Sequence, residues 1–239
     1  MKNLIYIIPL ALMIISTGCE RDLETEGSSR TTYFPTFTFE GEQFMTTTPG
    51  NYTEPGITAT EDGVELEVTT AVSGKYTGMS DLSVMDEYAI TYTAFNSDGF
   101  PGSSVRTVRA VSPNGDMINS IEGLYTASTV RNDGNTSSGI EVWISEVSAG
   151  VYVFSHAAGG YYSDGLGYGD GYRAGSGRVT ANDISTNDFS AQLALFPTWG
   201  NTIDIQDMEV DAATKTITYT AVSDFASGRT WAVTLVQNP

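Results

Sequence analysis

Cysteine is almost missing: the 239-residue chain has one, Cys19. A single thiol closes no internal disulfide, so the folded part must hold together by burying side chains. Histidine is as scarce, with His156 alone. One histidine and one cysteine do not assemble the usual zinc ligand set. No G-x-S-x-G or comparable phrase sets a serine beside His156 for nucleophilic catalysis, and at the end of an apolar strand that residue reads as structural. Positive charge is short too, since 11 Lys and Arg face 29 Asp and Glu for a formal net charge of −18. Nucleic acid and heparin-like polyanions need a basic surface that releases counterions. No Lys/Arg cluster exists; Arg106 and Arg109 come nearest, and on a strand their spacing sends them to opposite faces. Long apolar runs are lacking as well. Leu4 to Ile15, broken by Pro9, is too short to span a bilayer, and no segment has the amphipathic period of an ordinary helix. The run from Asp164 to Asp170 does not have EF-hand spacing. These absences leave no expected metal or cofactor and no catalytic residue; a glycoside hydrolase ranks third among the readings, since 29 acids always offer some plausible carboxylate pair.

What is present begins at the N-terminus. Lys2 gives a positive start, Leu4 to Ile15 the apolar stretch and Ser16-Thr17-Gly18 the small residues of a secretory signal over 1–18. Cys19, directly after Gly18, resembles the lipid-modified cysteine of a bacterial lipobox, with Ser16 where an aliphatic residue is usual, as in looser Bacteroidetes versions. The resemblance implies cleavage before Cys19, diacylation of its thiol and a membrane partner reached through that lipid. Glu20, Arg21, Asp22, Glu24 and Glu26 resemble the acidic stretch of surface-exported Bacteroidetes lipoproteins, which implies an outer-membrane anchor facing the cell exterior. A plain solvated tether is the other reading.

Beyond this tether and lead-in strand (19–39), the pattern is β throughout. Val64, Leu66 and Val68 alternate with Glu65, Glu67 and Thr69, the period of a half-buried strand. Tyr88 to Phe95 and Val105 to Val111 continue it, punctuated by Asn96-Ser97-Asp98-Gly99 and Pro101-Gly102. Turn formers then concentrate at Ser112-Pro113-Asn114-Gly115-Asp116, so the expected division is a first domain at 40–111, a linker at 112–120 and a second domain at 121–239. A long interstrand loop is the alternative. Ile140–Val147 with Val151–His156, and Ile203–Val210 with Thr216–Val222, read as hairpins. Trp231, Val233 and Leu235 alternate along a last strand, with Trp143 and Trp231 in packing positions. The expected class is all-β: a sandwich followed by an antiparallel sheet or incomplete barrel.

Pro55-Gly56-Ile57-Thr58-Ala59, Glu61-Asp62-Gly63 and Tyr88-Ala89-Ile90-Thr91-Tyr92-Thr93-Ala94 resemble bacterial immunoglobulin-like modules, with Asp86-Glu87 replacing the usual glycine before the tyrosine. That likeness implies a spacer. Ile121-Glu122-Gly123-Leu124-Tyr125, the segment Gly159-Gly160-Tyr161-Tyr162 with Gly167-Tyr168-Gly169 and Tyr172, and the strand around Trp231 resemble the C-terminal domain of Bacteroides surface lipoproteins encoded beside Sus-type glycan uptake. This implies an association with glycan capture and with an outer-membrane transporter complex.

The unusual passage is Ala158 to Arg178, where eight glycines surround Tyr161, Tyr162, Tyr168 and Tyr172. Sugar rings offer apolar C–H faces and hydroxyl edges, so aromatic faces joined to carboxylates or amides suit them, and aromatics give contact area at low entropic cost. Asp164, Asp170 and Arg173 lie in the same stretch, and Trp199 stands in a separate loop. A tightly packed loop with tyrosines in the core is the competing reading. The expected function is therefore non-catalytic binding of a neutral oligosaccharide or polysaccharide by a lipid-anchored surface protein in glycan utilisation. The alternative is a structural or interaction subunit of an uptake or adhesion complex.

Overall fold

The computed structural model describes residues 31–239. The expected signal over 1–18, the modified Cys19 and the acidic residues after it lie outside the described residues. Among those described, no helix is long and apolar enough to cross a membrane.

The first seven strands are β1 (Thr36–Phe39), β2 (Phe44–Thr47), β3 (Ile57–Glu61), β4 (Val64–Leu66), β5 (Thr69–Gly74), β6 (Asp86–Phe95) and β7 (Pro101–Ala110). They form two sheets, ordered β1-β3-β4 and β2-β7-β6-β5, with β2 running parallel to β7. Tyr88, Ile90, Tyr92, Val108 and Ala110 from one sheet bury against Phe37, Phe39 and Ile57 from the other. This is the packing of a sandwich, in which alternate residues of each strand face inward. The β3–β4 turn is Asp62-Gly63, both at positive φ (47° and 83°), the backbone that a two-residue hairpin of this twist requires.

Two expectations here are corrected. Val64 is exposed while Leu66 is half-buried, and the alternating run is not one strand: the chain leaves the first sheet after Leu66 and enters the second at Thr69. Pro101 opens β7 opposite Phe95 rather than sitting in the turn, a place where its missing N–H costs nothing. Asp86 supplies by side chain what a glycine would supply by backbone. Fully buried, its carboxylate accepts the N–H groups of Tyr76, Thr77 and Glu87 and the Thr77 hydroxyl. Arg106 and Arg109 do face opposite ways. Arg106 is buried between the sheets, paired with Glu54 and donating to the Glu40 and Gly56 carbonyls at 2.7 and 3.1 Å; Arg109 points outward to Glu141 at 2.6 Å.

The remaining strands are β8 (Gly123–Arg131), β9 (Thr136–Ser148), β10 (Val151–Phe154), β11 (Arg178–Asp183), β12 (Asp188–Ala191), β13 (Ala194–Leu195), β14 (Thr202–Asp211), β15 (Thr216–Ser223) and β16 (Thr230–Gln237). They make one nine-stranded antiparallel sheet, ordered β12-β11-β10-β9-β8-β16-β15-β14-β13. The sheet curls into a half-barrel. Its register shifts between Ala127 and Ser128, Val151 and Tyr152, Ala181 and Asp183, and Gln206 and Glu209, and such bulges bend a strand and raise its twist. The shift in β14 carries Asp207 at φ 51° and changes the buried phase from Ile203 and Ile205 to Met208. Trp231, Val233 and Leu235 on β16 and Ile217, Tyr219 and Ala221 on β15 line the core side. Among the described residues, helical structure is confined to a π-helical turn at Tyr161–Gly165 and two 3-10 turns, Asp170–Tyr172 and Ile184–Thr186.

The two sheet systems meet through Tyr76, Met85 and Trp143, flanked by Val111 and Leu124. Arg109 lies over the Trp143 ring at 4.8 Å and Arg173 over Tyr76 at 4.8 Å. Asn114, between the two, accepts from the Leu124 N–H and donates to the Asn238 carbonyl. The ring and arginine contacts seat the half-barrel against the sandwich through buried aromatic area as well as charge, while Asn114 ties the connecting segment to the half-barrel.

Candidate functional site

Antiparallel order sends the β8–β9, β13–β14 and β15–β16 connections, and the chain leaving β10, to one end of the half-barrel. The segment leaving β10 folds back over the sheet because it is glycine-rich. Gly159 and Gly160 take left-handed φ values of 59° and 72°. A Cβ there would stand 2.3 Å from Thr129 Oγ1 and 2.6 Å from Ile140 Cγ2, so a larger residue would lift the segment off the strands. Its first part closes the core: Ala157, Ala158 and Tyr161 are buried, with Arg131 over the Tyr161 ring at 5.0 Å. From Asp164 to Gly171 the residues are exposed.

An open cleft of about 530 Å³ lies where these loops converge, lined by Arg131, Tyr162, Tyr168, Trp199, Asn201, Phe225, Ala226, Ser227 and Arg229. Half-buried Tyr162 is its hub. Its ring packs edge-on against Trp199 at 4.8 Å, Phe196 at 5.8 Å and Trp231 at 5.8 Å, and stacks with Tyr168 at 6.0 Å and 21°. Its hydroxyl accepts from Arg131 Nη1 at 3.3 Å. Tyr172 touches both Tyr168 and Trp199, at 5.4 and 4.9 Å. Tyr168 is 52% exposed and Trp199 38%, which leaves aromatic faces toward solvent on a support whose rotamers are fixed by packing.

Of the residues singled out in the sequence, the structure gathers Tyr162, Tyr168 and Trp199 at the cleft, with Tyr172 beside them. Tyr161 is in the core. The three charged residues are elsewhere: Asp170 pairs with Arg173 at 3.2 Å and with Lys75 of the sandwich at 3.6 Å, and Arg173 donates to the Lys75 carbonyl. Asp164 accepts from the Ser163 hydroxyl at 2.6 Å and lies 3.1 Å from His156 Nε2. Sequence reasoning missed Arg131, Asn201, Phe225 and Arg229. All sit in or next to hairpin turns rich in Asn, Asp, Ser and Gly, a signal that marks the turn but not which turns share an end.

Ser155, His156 and Asp164 form a line, with Ser155 Oγ 2.6 Å from His156 Nδ1. Ser155 is fully buried, and its Oγ accepts the Trp143 N–H at 2.9 Å, so no substrate carbonyl reaches that hydroxyl. The line instead ties the exposed segment to the core. The hydrogen bond from His156, then that from Ser163, hold the Asp164 carboxyl down at about 2 against burial that would raise it. A carboxyl depressed in the folded state adds stability that is fully present above its unfolded value near 4 and fades as pH falls through the folded one. The chain is therefore expected to lose a fraction of a kcal/mol between about pH 4 and pH 2 through this group, a small effect because Asp164 is half exposed. Acid unfolding of Asp164→Asn against the parent measures it, and parallel curves would remove the residue from the account.

Residues 114–237 match the family model of a C-terminal domain, and residues 37–110 match that of the bacterial surface protein Ig-like domain. The crystal structure of the lipoprotein BT2262 from Bacteroides thetaiotaomicron is similar in fold: TM-score 0.55 at 24% identity, covering 85% of this chain and 100% of that one. No curated protein matches the sequence.

Proposed function

Because the chain belongs to the BT2262-like family through its C-terminal domain, with a bacterial surface Ig-like domain before it, we propose that it is a lipid-anchored surface protein whose half-barrel binds an oligosaccharide without cleaving it. The observation that carries this reading is the cleft itself. Tyr168 and Trp199 present exposed rings for the C–H face of a sugar, while Asn201, Ser227 and the two arginines stand round the same opening for its hydroxyl edge. Preformed apolar concavities with a few convergent polar groups are the usual form of a small-ligand site. Binding without turnover is supported by the lining, which includes no Asp or Glu, whereas glycoside hydrolysis uses a facing pair of carboxylates.

In this reading the lipid on Cys19 sits in the outer membrane and faces the cell exterior, the Ig-like domain is a spacer, and the bound glycan passes to an uptake complex in the same membrane. A glycan array probed with the soluble protein that starts after Cys19 tests the ligand class: retention of a set of related oligosaccharides supports it, and a blank array removes it. Docking of a protein partner is the second reading. It is favoured by Leu193 and Leu195, 59% and 46% exposed beside the β13–β14 connection, since contiguous exposed apolar surface marks interaction sites.

Anchoring has its own test. Acyl chains hold a protein to a bilayer by about 0.8 kcal/mol per buried methylene. Cys19→Ala is therefore expected to move the protein from the membrane to the soluble fraction and to abolish palmitate labelling. A variant that stays membrane-bound and labelled would contradict the lipid assignment.

A further inference from the structure

The charge of the cleft is opposite to that of the chain. Against a formal net charge of −18, the lining includes two guanidiniums, Arg131 and Arg229, and no carboxylate. Both arginines share one counter-ion just outside the lining. Arg131 holds Asp133 through Nε at 2.9 Å and Nη2 at 2.6 Å, and Arg229 reaches it through Nη1 at 2.9 Å. Two positive charges against one negative leave the arginine pair with an excess of one, and the next carboxylate, Asp224, is taken up by Asn201 at 2.8 Å and by Thr202. Among the described residues, Nε and Nη2 of Arg229 make no hydrogen bond, and its side chain is 33% exposed.

Of the other described cations, Arg106 is buried on Glu54, Arg109 is held by Glu141, Lys75 and Arg173 both engage Asp170 at the joint, and Lys215 donates to the Asp116 carbonyl at 2.9 Å; Arg178, on β11, lies outside the cleft lining. Arginine presents a planar fork whose geometry fits carboxylate and related oxyanions.

Resting on the oligosaccharide reading, we infer that the cleft selects an acidic sugar: a ring stacks on the exposed face of Tyr168 or of Trp199, whose planes are steeply inclined to each other, while a single anionic group, a carboxylate or a sulfate ester, takes the open part of the Arg229 fork. The acidic surface does not forbid this. At physiological salt, charges more than about 8 Å apart are largely screened, so the local pair governs an anion once it is seated. The overall charge acts on approach and disfavours a polyanion, which points to an oligosaccharide with isolated acidic groups rather than one charged at every residue.

The test is calorimetric titration of the full-length mature protein with matched sets: xylotriose with and without one glucuronic acid, and lactose with and without one sialic acid or one sulfate ester. The acidic member of at least one set is expected to bind on the order of tenfold tighter than its neutral core, as one charge-assisted contact implies. The carboxylate and sulfate arms show which group is taken. Arg229→Gln should bring the acidic member down to the level of its neutral core in the same variant, and Arg229→Lys should keep part of the preference. If acidic and neutral members bind alike, or Arg229→Gln keeps the preference, the inference fails while the oligosaccharide reading stands. If no member of either set binds, the oligosaccharide reading fails and takes this inference with it.

Discussion

Trp199→Ala is expected to weaken a bound oligosaccharide roughly tenfold, about 1.4 kcal/mol, with a smaller loss of stability, about 1 kcal/mol, from its edge contacts with Tyr162, Tyr172, Phe196 and Phe225. Tyr168→Ala is expected to behave the same way. Both rings stand on turns at the rim, more than a third exposed, so truncation removes a solvent-facing contact surface together with edge contacts to the neighbouring rings. The Trp199 turn is closed by backbone alone, with the Gly200 N–H donating to the Phe196 carbonyl at 2.8 Å. Tyr162 differs from both. Its ring lies edge-on to Phe196 and Trp231, each at 5.8 Å, so Tyr162→Ala should cost affinity and stability together and cannot serve as a clean binding variant. Titration with an array-identified oligosaccharide, beside thermal melts, separates the three. Unchanged affinity in both rim variants would empty the cleft of its proposed role.

Tyr161→Ala carries the largest expected stability loss, roughly 3 to 5 kcal/mol. Next in sequence to the hub, Tyr161 is only 2% exposed, packed against Tyr162 at 5.1 Å and Trp231 at 6.3 Å with the Arg131 guanidinium over its face. Truncation leaves a void beneath the cleft and strips Arg131 of its platform. Against a total of about 5 to 15 kcal/mol for a typical domain, such a loss is a large part of the whole. Denaturant unfolding should show a much lower midpoint, and a midpoint equal to the parent's would contradict the placement of Tyr161 in the core.

How much of this was legible in the sequence depends on what each residue's position is set by. The hairpins of the half-barrel were, because strict alternation along β15 and β16 reports directly which face is buried. So was the inward and outward split of Arg106 and Arg109. The break at Glu67-Val68 was not, since a strand that changes sheets keeps its period of two. Nor was the work of Asp86, which replaces a glycine by accepting backbone N–H groups ten and nine residues back.

In the Gly/Tyr segment no period sorts the rings. The sequence offers packing and binding as alternatives for the whole stretch, whereas the structure divides it, with Tyr161 buried, Tyr162 shared and Tyr168 exposed. Asp164, Asp170 and Arg173 lie near the tyrosines in sequence, yet Asp170 and Arg173 turn to the joint with the sandwich. Arg131 and Arg229 were missed for the converse reason. They are 98 residues apart in the chain and are brought together by the pairing of β8 with β16, where Arg131 stands opposite Trp231.

The central claim, that the aromatic cleft is the sugar site, is tested most directly by tryptophan emission. The chain has three tryptophans; Trp143 and Trp231 are 1% and 0% exposed, and only Trp199, at 38%, faces solvent. Titrating the parent with an array-identified oligosaccharide should give a saturable blue shift as the sugar covers Trp199, and Trp199→Phe should abolish that shift while retaining some binding. An oligosaccharide that binds without altering the emission, or that shifts it equally in Trp199→Phe, would place the site elsewhere on the molecule.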